Sequence, residues 1–248
     1  MVGPAIAGIM VTAWGEGWCF FANGVSYLGV ILGLLLMNSP KDDQSLPVES
    51  HWKNMGLGFR YVWHTKTIRG LVMLLAVVSL VGMPYVVLMP IFADRVLHGG
   101  PRSLGILMGA TGAGAVLSAF TLAVRRGVQG LDRWIATCAL GFSATLMAFS
   151  VSRSFWLSVG LLLVAGFCLI GQTASSNTLV QTLTPDNLRG RVMAVYSMMF
   201  IGVAPFGSLL AGLLAHWLGA PGTLTVAGFD LRAIAVIFRR QFVTTNSA

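Results

Sequence analysis

The first candidates for chemistry are polar residues inside an otherwise apolar stretch. Between Phe155 and Leu183, Thr173, Asn177 and Gln181 recur at every fourth position, with Gln172 and Ser176 beside them. On a helix that spacing gathers them on one face. Amide and hydroxyl groups there donate and accept hydrogen bonds without a nucleophile or base among them, so they suit reversible binding of a small molecule. The same groups also suit interhelical hydrogen bonds, worth about 0.6 kcal/mol each in lipid. Both readings stand for Asn177, and the structural one is favoured for Gln181.

A second candidate is Thr184-Pro185-Asp186-Asn187-Leu188-Arg189-Gly190-Arg191. Thr184 is expected to cap a helix starting at Pro185, and Asp186 then lies in the first turn, where the helix dipole favours a carboxylate. Asp186, Arg189, Gly190 and Arg191 form a candidate gating loop. Anchoring of the two arginines to phosphate headgroups is the alternative. Asp230 is the single carboxylate deep in an apolar run and the candidate proton carrier, although Arg232 follows closely. Glu16 sits in a Gly-Glu-Gly turn, and Asp94 beside Arg95 is expected to form a local ion pair.

Other chemistries find little support. Cys19, Cys138 and Cys168 lie singly in apolar runs, and His51, His64, His98 and His216 sit at run edges or in loops. There is no Gly-rich phosphate loop and no HExxH motif. The expectation is a chain that is not an enzyme, with no cofactor and no metal site.

The elements that position these residues are set by composition. The 248 residues are 56% hydrophobic and only 10% charged, which makes lipid the expected solvent. The amino terminus lacks the basic start and the cleavage pattern of a secretory signal. Eight apolar runs are candidate membrane spans: Gly3 to Trp14, Cys19 to Met37, Gly70 to Phe92, Leu104 to Val124, Trp134 to Val151, Phe155 to Leu183, Val192 to Leu218 and Thr223 to Phe238. The fold class is therefore all-α integral membrane. Residues 38–69 form a linker with an amphipathic piece around Phe59 and Trp63, expected to lie along the membrane surface. Small residues mark helix-packing faces: Gly3, Pro4 and Gly8; Gly105, Gly109 and Gly112; Gly202, Pro205, Gly207 and Gly212. Pro84 and Pro90 should kink the third run.

Charge orients the runs. With the 38–69 linker inside, alternation puts Lys41, Lys53, Arg60, Lys66, Arg69, Arg125, Arg126, Arg133, Arg189, Arg191, Arg239 and Arg240 inside, and only Arg95, Arg102 and Arg153 outside. That asymmetry predicts a cytoplasmic linker and carboxy terminus. It accounts for the net charge of +8 without a nucleic-acid partner.

Sliding the sequence by 204 positions matches Gly3, Ala7, Gly8, Gly15 and Gly24 to Gly207, Ala211, Gly212, Gly219 and Gly228. The first two runs thus repeat the last two, a mark of transporters built from internal repeats. With six-helix repeats, 1–37 are the last two helices of an amino-terminal half, 70–240 a complete six-helix half and 241–248 a tail. About four helices are then expected before Met1.

Several segments carry a resemblance: Gly3-Pro4 with Gly8, LMPIFADRVLHGG (Leu88 to Gly100), LGILMGATGAGAV (Leu104 to Val116), NTLVQ (Asn177 to Gln181) and PDNLRGRVMA (Pro185 to Ala194). The chain resembles the major facilitator superfamily, in the branch of the enterobactin exporter and macrolide efflux proteins. Gly130-Leu131-Asp132-Arg133 is similar to a worn copy of the family's GxxxD(R/K)xGRK motif, and Asp230 and Arg232 stand where family members are usually apolar. The resemblance implies helices 5 to 12 of a twelve-helix transporter in the bacterial cytoplasmic membrane. It further implies efflux of small amphipathic compounds by alternating access, with proton antiport. The competing expectation is a truncated, non-transporting membrane fragment that needs a missing amino-terminal half.

Overall fold

The structure is a computed structural model that describes residues 16–36 and 51–245, apart from residue 126. The first expected span, with Gly3, Pro4 and Gly8, lies outside the described residues, as do residues 37–50. The chain divides into two compact units, Met1–Glu49 and Ser50–Ala248. In the first, α1 (Glu16–Leu36) is a single helix whose apolar part, Phe21–Leu36, is shorter than the other apolar helices. Its large side chains are exposed, from Phe21 to Leu36.

The second unit holds α2 (His51–His64), α3 (Lys66–Val96), α4 (Gly100–Val124), α5 (Leu131–Val151), α6 (Phe155–Leu183), α7 (Asp186–Ser197) and α8 (Ala204–Thr245). No strand occurs among the described residues. Five helical stretches there are long and apolar enough to cross a membrane, the last running from Asp186 to Arg239. At 1.5 Å per residue that stretch would extend about 80 Å, far beyond a hydrocarbon layer of about 30 Å, so it must bend.

It bends at Gly219, whose φ of 71° and ψ of 165° fall in a region open essentially to glycine alone. Gly207 packs on the Leu80 carbonyl, and Gly82 faces Leu231 across the same turn of α3. Residues equally far before and after Gly219 thus meet one level of one helix, which requires α8 to double back as a hairpin. The last two expected spans, Val192 to Leu218 and Thr223 to Phe238, are therefore joined by a short connection in which only Gly219 leaves helical conformation.

Three wide turns with hydrogen bonds five residues back interrupt the helices, at Val78–Gly82, Phe92–Val96 and Met198–Gly202. The first runs into Pro84, which has no N–H for the carbonyl of Leu80. Gly207 brings its backbone against that carbonyl, an approach that any side chain would block. The Ser79 hydroxyl donates to the Phe200 carbonyl of the third wide turn, so the two irregular turns sit against each other.

The buried side chains form two clusters. One joins Val62, Ile68, Leu71, Leu131, Ile135, Val180, Val192 and Phe238. The other joins Leu88, Phe92, Phe149, Leu162 and Ala220, with Val96, Leu97 and Phe155 packed against it. Successive helices enter these clusters from opposite ends and are antiparallel. Arg60, Lys66, Arg69, Arg133, Arg189, Arg191 and Arg239 flank the first cluster, and Arg95 and Arg153 flank the second. The basic asymmetry of the sequence is thereby an asymmetry of the two ends of one bundle.

The tightest crossing joins α4 and α6. A Cβ on Gly114 would come 1.8 Å from the Leu163 carbonyl oxygen, and one on Gly166 would come 1.9 Å from that of Thr111. Each glycine receives the carbonyl three residues before the other, a reciprocal fit of bare backbone. Around the bundle Phe120, Val124, Trp156, Phe206, Leu209 and Trp217 are exposed, an apolar belt far larger than a soluble surface carries.

Candidate functional site: a groove between α6 and α7

α7 and the wide turn Met198–Gly202 that follows it lie against the last third of α6. Between them lies a groove of about 440 Å³ lined by Thr173, Ala174, Asn177, Thr178, Tyr196, Ser197, Phe200 and Ile201. Tyr196, buried except at its tip, donates its hydroxyl proton to the Thr173 carbonyl at 2.9 Å. This bond ties the two walls together.

The groove's free hydrogen-bonding capacity follows from the pairs already made. The Thr173 hydroxyl donates to the Leu169 carbonyl at 2.8 Å, and that of Thr178 to Ala174 at 3.0 Å. Both oxygens keep lone pairs. The Asn177 Oδ1 accepts from Gln181 Nε2 at 2.6 Å, which leaves the Asn177 NH₂ free to donate. Phe200 and Ile201 supply apolar wall. Such a lining suits a molecule with acceptor groups and apolar surface.

The structure separates the polar face expected on this helix. Thr173 and Asn177 line the groove, whereas Gln172 and Ser176 are fully buried on the neighbouring side, with Gln172 Nε2 3.5 Å from Ser176 Oγ. One residue is about 100° of helix, so neighbours in sequence diverge. Gln181 is exposed toward the end of α6. Tyr196, Ser197, Phe200 and Ile201 were not singled out from sequence. Their meeting with α6 depends on helix pairing, which periodicity does not contain.

The Asp186 to Arg191 segment connects three helices. Arg189 pairs with Asp186 at 2.6 Å, both well exposed, and its Nε donates to the Gln181 carbonyl at 3.3 Å, one of the last free carbonyls of α6. An exposed pair of this kind contributes well under 1 kcal/mol. Gly190 has open space around it, and the Arg191 backbone abuts Gly58 of α2. Thr184 does not cap the following helix. Its buried hydroxyl instead donates to Val180 at 2.6 Å and closes the end of α6, and α7 begins after Pro185 with no side-chain cap.

The glycines divide as well. Gly105 and Gly109 are exposed with nothing near a would-be Cβ, and Gly112 is buried. Gly207 makes the close approach to Leu80; Gly202 lies near Met198; Gly212 is open and Pro205 exposed. Asp94 and Arg95 do not pair: adjacent helical positions point apart. Asp230 is exposed on α8, beside the buried Ala227 and Leu231. It lies about 16 Å along the helix from Gly219, near mid-depth of the bundle.

A bundle of antiparallel apolar helices, wrapped in an exposed apolar belt and carrying a groove with polar lining between two of its helices, defines a multi-pass membrane protein of the transporter class. The family model described as transmembrane secretion effector matches residues 1–248. The chain belongs to this family of the major facilitator superfamily. It is 29% identical over 244 residues to the multidrug efflux pump Tap of Mycolicibacterium fortuitum, covering 96% of this chain and 58% of that protein. It is 24% identical over 241 residues to the enterobactin exporter EntS of Shigella flexneri, covering 96% and 56%. To the staphyloferrin A transporter of Staphylococcus aureus it is 22% identical over 245 residues, covering 96% and 59%. The chain thus spans less than two thirds of the length of these relatives. No solved structure matches it.

Proposed function

We propose that this chain supplies the carboxy-terminal bundle of a secondary transporter that exports small amphipathic compounds from the bacterial cytoplasm by alternating access, driven by proton antiport. The observation that carries this reading is the α6–α7 groove, with its free Asn177 amide, hydroxyl acceptors and apolar wall. The names of the relatives, an efflux pump and two siderophore transporters, agree with it. The end bearing Arg60, Lys66, Arg69, Arg189 and Arg191 is cytoplasmic in this reading, by the positive-inside rule. Asp186, Arg189, Gly190 and Arg191 act as the gate on that side, because the segment bridges α6, α7 and α2.

Asp230 is the proposed proton carrier. A carboxylate at mid-depth on an outward face costs about 2.5–3.5 kcal/mol against lipid, which water or further protein would relieve. In a second reading the chain transports only with an amino-terminal partner half. The exposed Gly105 and Gly109 on α4 favour it, since they offer bare backbone to an approaching helix. Asn177→Ala tests the groove: substrate affinity falls several-fold while the protein remains folded. Unchanged transport kinetics would reduce the groove to packing.

A further inference from the structure

A second groove lies at the basic end, on the opposite face of α7 from the α6–α7 site. It occupies about 530 Å³ between α2 and α7 and is lined by Gly56, Phe59, Arg60, Trp63, His64, Ala194, Val195 and Met198. Gly58 fixes its floor, because a Cβ there would stand 2.8 Å from the Arg191 carbonyl oxygen. α2 is therefore held against α7.

The two sides of this groove differ in chemistry. Phe59 and Trp63 stack with centroids 6.0 Å apart and remain 41% and 47% exposed, an unusual state for two aromatic rings already packed on each other. Around them stand cations. Arg60 and Lys66 are exposed, and Arg69 lies over the Trp63 ring at 5.9 Å with a hydrogen bond to the Trp63 carbonyl at 3.3 Å. His64 turns its Nδ1 to the Arg60 carbonyl at 2.9 Å. Residues 56–73 contain no carboxylate, so no acid within that segment neutralises these charges.

We propose that this groove binds an anionic phospholipid, with an acyl chain along Phe59, Trp63 and Met198 and the phosphate among Arg60, Lys66 and Arg69. An apolar slot opening on a cationic rim matches an amphiphile with a negative head. A zwitterionic lipid offers the same chain without the net charge. A lipid held between α2 and the last turns of α7 bears on the helix that carries Arg189 and Arg191.

The test uses the full chain in vesicles containing phosphatidylglycerol or phosphatidylcholine brominated on the acyl chains, and takes the Trp63 fluorescence as the difference from Trp63→Phe. Phosphatidylglycerol quenches Trp63 at lower mole fraction than phosphatidylcholine. Removing one charge in Arg60→Gln or Lys66→Gln shifts its half-quenching fraction about five-fold, as expected from loss of one basic group at a membrane surface. Gly56→Met, where a side chain meets open space, fills the slot and lowers quenching by both lipids. Equal quenching by the two lipids, or a preference unaltered in Arg60→Gln, overturns the proposal. So does quenching unaffected by Gly56→Met, which would place Trp63 against bulk lipid or another protein.

Discussion

Gly166→Ala adds one methyl group to the α4–α6 crossing, at a point where it would lie 1.9 Å from the Thr111 carbonyl oxygen. A carbon and a carbonyl oxygen approach to about 3.3 Å at closest, so the helices must separate by about 1.4 Å. The obstacle is backbone, which cannot rotate aside like a side chain. Overpacking costs about 1–3 kcal/mol, and this site belongs at the top of that range. At about 2–4 °C per kcal/mol for a chain of this size, the unfolding midpoint should fall by roughly 6–12 °C. Gly109→Ala is the control, because nothing lies within 4 Å of its Cβ position. It should be neutral or gain about 0.5–1 kcal/mol of helix stability. Thermal unfolding of the purified full chain, followed by a thiol-reactive dye that reports exposure of the buried, free Cys138 and Cys168, separates the two. A Gly166→Ala midpoint at or above that of the parent refutes the crossing.

Three further outcomes are expected. Gly219→Ala forces a side chain into a glycine-only conformation at about 1–3 kcal/mol, and a midpoint unchanged from the parent in the same assay would deny the α8 hairpin. Tyr196→Phe removes the hydrogen bond to the Thr173 carbonyl at about 1 kcal/mol, and should change substrate affinity along with stability; an effect on stability alone would mean that Tyr196 only packs. Asp230→Asn abolishes proton-driven movement in vesicles while leaving substrate binding intact, and retained pH-driven uptake would exclude Asp230 as the carrier.

The architecture was legible because apolar run length and basic asymmetry are one-dimensional properties. Phe155 to Leu183 was read from sequence with the bounds of α6. The boundary between the last two runs was read at the Gly219 to Gly222 segment, but not that the helix continues through it with one residue, Gly219, out of helical conformation. Glycine spacing alone does not say which helix a small-residue face meets. The regular Gly105 and Gly109 face outward, whereas the contact is made by Gly114 and Gly166, whose partners are carbonyls on another helix. The groove was half visible for the same reason: Thr173 and Asn177 stand out in an apolar run, but Tyr196 joins them only through a wide helical turn that composition does not announce. Thr184 shows the local ambiguity of hydroxyls, which close the helix behind as readily as they cap the helix ahead.

The central claim is vectorial transport through this bundle. It is tested most directly by reconstituting the full chain in proteoliposomes, imposing a pH gradient and following a fluorescent amphipathic cation. The account predicts accumulation that collapses with a protonophore and weakens in Asn177→Ala. No gradient-driven movement, by the chain alone or with an amino-terminal half supplied, would contradict it.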